Sequence, residues 1–180
     1  MPSPKLFVLT GGPGAGKSTL IDALAHAGFA VAREAGRRVI QDEQARGGSA
    51  LPWVDPTAFA QAMLAHDLDS YARLSASPGP VFCDRGIPDV IGYLRLEGLG
   101  VPEAIWRAAR EHPYQPRVFM CPPWRAIYST DSERRQTWDV AERTYEAMVA
   151  VYTELGYTLL DVPRAPVDTR VNFVREMVAA

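Results

Sequence analysis

Five short apolar segments alternate with helical segments along the chain, and this alternation constrains the fold more than any other feature. The apolar segments, interpreted as strands, cover residues 5–10, 29–33, 81–84, 117–121 and 157–162. Helices are predicted for residues 17–27, 35–47, 56–75, 88–98, 102–112, about 132–155 and 167–178. Strands that alternate with helices predict an α/β fold with a parallel sheet covered on both faces. Ligands of such sheets bind beyond the carboxyl ends of the strands, so the residues that follow each strand are the first functional candidates.

Length and composition are those of one globular domain over residues 1–180, with 47% hydrophobic and 22% charged residues. A net charge of −2 argues against a nucleic-acid partner. No segment approaches the ~18 apolar residues that span a bilayer, so we expect no membrane association. The N-terminal apolar run is too short for a signal peptide, and the two cysteines show no metal-ligand spacing. A cytoplasmic protein is the resulting expectation.

The first predicted strand leads into a glycine-rich loop, GGPGAGKS, at residues 11–18. This segment fits G-x-x-x-x-G-K-[ST], and it lies between a strand and a helix, as this phosphate-binding motif requires. Glycines let backbone N–H groups approach phosphate oxygens, while Lys17 reaches the β and γ phosphates and the Ser18 hydroxyl ligates magnesium. A dinucleotide-binding G-x-G-x-x-G would need glycine in place of Lys17, so that alternative fails. The predicted nucleotide-binding residues are Gly11, Gly12, Pro13, Gly14, Ala15, Gly16, Lys17, Ser18 and Thr19.

Charged residues also follow the second and third strands. Asp84 ends the third strand, where a carboxylate can hold magnesium or accept a proton from a substrate hydroxyl, and Arg85 can bind an anionic part of the substrate. We expect a phosphoryl acceptor between these strands, in contact with Glu34, Arg37 and the ring of Trp53. An ordinary helix start and a loop anchor remain alternatives for these residues. Asp89 is interpreted only as a first-turn acid that favours the helix dipole.

A second arginine-rich segment, PPWRAIYSTDSERRQ, follows the fourth strand at residues 122–136. Its Arg125, Arg134 and Arg135 are placed to close over a nucleotide, and positive charge on the transferring phosphoryl group is the main catalytic device of this chemistry. Asp131 or Ser132 is the predicted N-cap of the helix that follows. A solvated, charged helix start is the alternative. Two adjacent arginines near the positive end of a helix dipole are unfavourable without an anionic partner.

The segments GGPGAGKST, CDRGIPD, PPWRAIY…DSERRQ and LGY…VP…R…FV together resemble a family of small bacterial P-loop proteins. Its members are described as AAA-type ATPase domains or predicted kinases, and they are similar to the nicotinamide riboside kinase domain and to nucleoside and nucleotide kinases. The resemblance implies a three-layer sandwich with strand order 2-3-1-4-5, in which strand one separates Cys83 from Cys121, and a short helical lid at about residues 122–140. It also implies that Asp84 activates an acceptor hydroxyl or holds metal, that Arg134 is the lid arginine, and that the loop with Pro163 flanks adenine.

These observations predict an ATP- and Mg²⁺-dependent phosphotransferase that acts on a small, hydroxyl-bearing, nucleoside-like acceptor. The predicted catalytic residues are Lys17, Asp84, Arg134 and Arg135, with Ser18 and Asp84 at the metal. The alternative is an ATPase or nucleotide-dependent switch that acts on a protein partner. A guanine-reading Asn-Lys-x-Asp motif does not occur in the sequence, and no second arginine finger that would indicate a hexameric motor is found.

Overall fold

The computed structural model describes residues 4–128 and 137–179. Each of the five apolar segments forms a strand: β1 Leu6–Gly11, β2 Ala30–Ala32, β3 Val81–Asp84, β4 Arg117–Cys121 and β5 Thr158–Asp161. All neighbouring strands are parallel, in the order β2-β3-β1-β4-β5. The predicted order is confirmed, and β1 lies at the centre of the sheet.

In the described parts of the chain, seven α-helices connect and cover the strands. They are α1 Lys17–His26, α2 Ala35–Arg46, α3 Pro56–Leu74, α4 Ile87–Leu96, α5 Glu103–Glu111, α6 Trp138–Glu154 and α7 Val167–Ala179, with a short 3₁₀ helix at Arg125–Ile127. Most helix ends lie within two residues of their predicted positions. The start of α6 is the exception, because Thr137 caps it by accepting a hydrogen bond from the Val140 N–H at 3.4 Å. The predicted caps, Asp131 and Ser132, lie outside the described residues.

Apolar side chains cover both faces of the sheet, which makes the fold a three-layer sandwich. Along β1, Leu6 and Val8 pack into one core cluster while Phe7 and Leu9 pack into another. The first cluster includes buried residues of α4, α5 and α6, and the second includes those of α1 and α7. Burial on both faces explains why the β1 segment is a continuous apolar run rather than an alternating one.

The strand register brings the ends of β1 and β3 together. Leu9 pairs with Asp84, so the loop that follows β1 begins beside the carboxyl end of β3. The sheet therefore gathers the residues that follow its strands at one edge, where the functional candidates lie.

Within the described residues, none of the helices combines the length and the apolar character that crossing a bilayer requires.

Candidate functional site

A cavity of about 1310 Å³ opens at the carboxyl ends of all five strands. Each strand is followed by residues that line it, for example Lys17 after β1, Glu34 after β2, Arg85 after β3, Trp124 after β4 and Pro166 after β5. Pockets for one small molecule commonly enclose about 300–1,000 Å³. The cavity therefore has room for two small ligands side by side.

The glycine-rich loop forms one wall of this cavity, with residues 12–19 lining it and Gly11 ending β1 behind them. Gly16 caps α1 in the left-handed region, with φ of 72°, and a Cβ there would lie 2.6 Å from Nη1 of Arg170. A Cβ on Gly12 would lie 2.2 Å from the carbonyl oxygen of Ala141. Glycine is therefore required at both positions, because the loop is packed against α6 and α7 as well as curved around the cavity.

Lys17 and Asp84 form a buried ion pair at the base of this loop. The Lys17 ammonium lies 3.2 Å from Oδ1 of Asp84, and the two side chains are 7% and 6% exposed. That carboxylate oxygen makes no hydrogen bond within the described residues. A buried carboxylate oxygen without a hydrogen bond matches the oxygen ligands that Mg²⁺ prefers.

No group of three or more His, Cys, Asp or Glu side chains that could hold a metal ion occurs in residues 4–128 and 137–179. A magnesium ion usually keeps several waters and takes one or two protein ligands together with phosphate oxygens. Ser18 and Asp84 fit this mode of binding, in which the nucleotide supplies the remaining ligands.

Arg85 links the two carboxylates that follow β2 and β3. Its Nε lies 3.4 Å from Oε1 of Glu34, and its Nη1 donates to Oδ1 of Asp89 at 2.9 Å. Among the described residues that are not glycine, Arg85 alone has a positive φ, 70°. A left-handed conformation costs an ordinary residue about 1–2 kcal/mol, so the surrounding contacts hold Arg85 in place against backbone strain.

Asp89 has a larger role than the sequence indicated. It does lie in the first turn of α4, but its buried carboxylate accepts four hydrogen bonds. The donors are Thr10 Oγ1 at 2.5 Å, Tyr152 Oη at 2.7 Å, Arg85 Nη1 at 2.9 Å and the Gly86 N–H at 3.0 Å. The interpretation as a simple dipole partner was therefore incomplete, because the partners on β1 and α6 are distant in sequence.

Glu34 is held ionised by its neighbours. Burial raises the pKa of its carboxyl, but the positive charges of Arg85, Lys17 and Arg37 outweigh burial and hold the pKa below its usual value. The side chain is 22% exposed and lines the cavity. Its Oε2 lies 3.5 Å from Nε of Arg37, which is itself largely exposed. Glu34 is thus a charged carboxylate that ligands can reach.

Asp67, on α3, lines the same cavity and was not found by the sequence analysis. Its carboxyl makes no hydrogen bond or ion pair with the residues that the structure describes. Burial raises its pKa to about 8, with further contributions from the negative charges of Asp89 and Glu34. No motif surrounds Asp67, so only the packing of α3 against α4 could place it beside these carboxylates.

Trp53 lines the cavity from the loop before α3, together with Pro52. Its side chain is 63% exposed, which is unusual for a large aromatic side chain. Glu34, Arg37, Trp53 and Arg85, the predicted acceptor contacts, thus all lie on one cavity wall. Their roles toward a ligand remain predictions.

The predicted lid is only partly described. Arg134 and Arg135 lie outside the described residues. The guanidinium of Arg125 lies 4.5 Å from the ring centroid of Trp138 and does not line the cavity. Pro163 does not line it either, although Ala165 and Pro166, two and three residues later, do. Any contact of Arg125 or Pro163 with a nucleotide remains a prediction.

Arg170, on α7, is a second residue that the sequence analysis missed. It is 4% exposed, and its guanidinium donates to the carbonyl oxygens of Gly16 at 3.0 Å and Ala15 at 3.1 Å. These bonds hold the phosphate loop by its carbonyl side, opposite to the N–H groups that would face phosphate. A separation of 154 residues in sequence leaves no local signal for this contact.

We predict that Arg170→Met weakens both the fold and the phosphate loop. The change removes both hydrogen bonds. The Gly16 oxygen keeps its bond from the Leu20 N–H, but the Ala15 oxygen loses its partner, which corresponds to a loss of about 1–3 kcal/mol in unfolding free energy. Urea denaturation measures this loss, and calorimetry with Mg²⁺ and ATP measures the accompanying loss of affinity. Arg175→Met, on the exposed side of the same helix, is the matched control, and equal losses in both variants would contradict the assignment.

We predict that the free energy of unfolding of Asp67→Asn increases relative to that of wild type as the pH rises. A raised pKa means that the folded state binds the proton more tightly than the unfolded state, so the stabilisation from Asp67 is lost as pH rises from about 4 toward about 8. Asparagine does not titrate, so the variant should gain in melting temperature relative to wild type between pH 5 and pH 8. Asp69→Asn, an exposed position two residues away, should show little such trend. A pH-independent difference for Asp67→Asn would show that the carboxyl is not in the described environment.

Three solved structures with the same fold cover nearly all of this chain. NadR protein in complex with NR superposes with a TM-score of 0.74 at 16% identity, over 98% of this chain and 51% of that chain. Thymidylate kinase from Ehrlichia chaffeensis gives 0.65 at 15% identity over 99% and 100%. Deoxyadenosine kinase from M. mycoides with bound dATP gives 0.62 at 15% identity over 97% and 100%. The chain therefore spans about half the length of the NadR chain, and at these identities the likeness shows a shared fold.

A search of curated proteins found no match to the sequence. A family model described as an AAA domain, AAA_28, matches residues 6–170. The match runs from β1 through the phosphate loop to Arg170 on α7, so it includes every strand of the sheet. With the strand order and the phosphate loop described above, it shows that the chain belongs to the AAA_28 family and has the fold of P-loop nucleoside and nucleotide kinases.

Proposed function

We propose that this protein is an ATP-dependent phosphotransferase that moves the γ-phosphoryl group to a hydroxyl of a small acceptor. The observation that carries the proposal is the extent of the cavity, which continues past the phosphate loop into a second compartment between α2, α3 and α4. We call this the acceptor compartment and define it by Glu34, Phe59, Met63, Asp67, Arg85 and Tyr93. A nucleotide-dependent switch needs no such compartment, whereas a kinase needs it beside the phosphates.

On the nucleotide side, the backbone N–H groups of residues 12–19 and the Lys17 ammonium would bind the phosphates of ATP. Magnesium, when bound, would neutralise charge on the β and γ phosphates. Ser18 would be its protein ligand, and Asp84 would hold it directly or through water. The ion pair between Lys17 and Asp84 supports these separate roles for the ammonium and the carboxylate, because it keeps the ammonium oriented at the base of the loop.

On the acceptor side, the contacts favour Glu34 as the proton acceptor over Asp84. Glu34 lines the cavity and is 22% exposed, whereas Asp84 is 6% exposed, does not line it and is paired with Lys17. In the proposed step, a new bond forms between the acceptor oxygen and the γ phosphorus, and the bond from that phosphorus to the β–γ bridging oxygen breaks. The hydroxyl proton passes to Glu34, and ADP leaves with the bridging oxygen.

Arginines of the lid would complete the transfer site. Arg134 and Arg135 would place positive charge on the transferring group when the segment closes over the nucleotide. This part of the proposal rests on the sequence and on the position of the segment after β4. Thymidylate kinase and deoxyadenosine kinase, two of the structural neighbours, are named as kinases, and NadR was solved with NR; these names support the reaction class.

We predict that Lys17→Ala abolishes acceptor-dependent ADP release, because the β and γ phosphates lose their cationic contact. The assay incubates the protein with MgATP and a panel of nucleosides, nucleoside monophosphates and sugars, and follows ADP. Lys5→Ala is a matched control, because Lys5 and Lys17 are the only lysines in the sequence and Lys5 is exposed. ATP-dependent thermal stabilisation without any response to an acceptor would contradict the kinase proposal and favour a switch that acts on a protein partner.

We predict that Glu34→Gln lowers kcat by about 10²–10⁴-fold, the usual contribution of a general base, with little change in the KM for ATP. Asp84→Asn should instead raise the Mg²⁺ concentration needed for half-maximal rate. Glu146→Gln, on an exposed position of α6, serves as the control for Glu34→Gln. The assignment of the two acids fails if Glu34→Gln retains normal turnover with an acceptor that wild type phosphorylates.

A further inference from the structure

The arginines in and beside the acceptor compartment are already paired with carboxylates. Glu34, Asp67 and Asp89 all face Arg85, whose guanidinium is already paired with Glu34 and with Asp89. Arg37 contributes a further positive charge, but it is exposed and it pairs with Glu34. Asp67 makes no ion pair in the part of the chain that the structure describes, and with a pKa of about 8 it is largely uncharged at neutral pH.

Asp67 lies at the end of an apolar stripe on α3. Phe59, Met63 and Asp67 are spaced four residues apart, so they lie on one face of the helix, and all three line the cavity. The ring of Tyr93 on α4 packs edge-on against Phe59, with centroids 5.3 Å apart. The stripe therefore offers an apolar face beside the Asp67 carboxyl.

Two polar groups of this compartment have no partner among residues 4–128 and 137–179. One is the Asp67 carboxyl, and the other is the buried hydroxyl of Tyr93. Buried polar groups in folded proteins are nearly always hydrogen-bonded to protein, water or ligand. The buried Tyr93 hydroxyl therefore indicates a ligand or ordered water with a complementary group, while the Asp67 carboxyl is partly exposed to the cavity and open to a ligand.

The same charges disfavour a phosphorylated acceptor. A phosphate monoester adds nearly two negative charges at neutral pH, and here it would meet the carboxylates of Glu34 and Asp89 and two arginines, Arg85 and Arg37, that are already paired with them. Like charges brought together in a partly buried site are strongly unfavourable. An uncharged or cationic molecule that offers an N–H or O–H group meets no such repulsion.

We propose that the acceptor is an unphosphorylated, nucleoside-like molecule and that Asp67 selects it by accepting a hydrogen bond from an N–H or O–H group at the edge of its ring. The ring lies along Phe59 and Met63, and the reactive hydroxyl lies near Glu34. The inference rests on the proposed function, and it restricts that function to nucleoside-type acceptors as opposed to nucleoside monophosphates.

Two variants separate the hydrogen bond from the charge. The probes are adenosine, cytidine, thymidine and nicotinamide riboside, each beside its own 5′-monophosphate, with binding to the full chain measured by calorimetry and thermal shift. Wild type should bind at least one nucleoside and bind its monophosphate at least about tenfold more weakly. Asp67→Ala removes the hydrogen bond and should weaken the nucleoside about tenfold or more. Asp67→Asn retains an acceptor oxygen and loses only the ability to ionise, so it should keep both the nucleoside affinity and the discrimination against the monophosphate within a few fold.

Asp69→Asn is the control for both variants, because Asp69 is exposed on the same helix, outside the cavity, and pairs with Arg73. It should bind both series as wild type does. Melting temperatures of the free variants establish that they are folded. An Asp67→Ala variant that binds the nucleoside as tightly as wild type would overturn the inference.

Tighter binding of a monophosphate than of its nucleoside by wild type would also overturn it, while acceptor-dependent ADP release with that monophosphate would leave the kinase proposal intact. Absence of binding in both series overturns the inference as well. In that case the proposed function is tested separately, by measuring ADP release from MgATP with the sugars of the wider panel. Release that wild type shows and Lys17→Ala lacks would support a kinase.

Discussion

The candidate site depends on one buried carboxylate, that of Asp89. Its four hydrogen bonds reach Thr10 on β1, Tyr152 on α6, and Arg85 and Gly86 at the end of β3. A buried charge is tolerated only when its hydrogen-bonding capacity is satisfied, so these elements are held in fixed positions around it. The strained backbone of Arg85 is one consequence, because the guanidinium must reach Asp89 and Glu34 from a short turn.

From this anchor the cavity divides into two parts of different electrostatic character. The phosphate loop presents backbone N–H groups and Lys17, and Arg170 braces the loop from behind through its carbonyl oxygens. The acceptor compartment presents Glu34 and Asp67 beside an apolar stripe. Under the proposed function, a polyanionic donor would bind on one side and an uncharged acceptor on the other.

Local sequence predicted most of the fold because each element carries its own signal. The β1 segment is apolar on both faces, glycines and prolines mark the turns, and β3 and β4 have the predicted bounds. The start of α6 was harder to predict, because several residues from Asp131 onward are acceptable caps and Thr137 is the cap in the structure. The phosphate loop was also identifiable, since its chemistry requires consecutive residues on one turn.

Asp67, Asp89 and Arg170 show where prediction from sequence stops. Each lies on a helix whose local pattern is ordinary. Asp89 and Arg170 bind partners 63 and 155 residues away in the chain, respectively, and Asp67 is notable only because it lines the cavity. The sequence by itself determined the α/β fold, the strand order through a family resemblance, and a phosphate loop that binds through contiguous backbone groups. Only the tertiary structure decided which acids line the cavity and which cation braces the loop. The physical reason is that burial and charge pairing are properties of the packed helices and sheet, to which residues far apart in the chain contribute jointly.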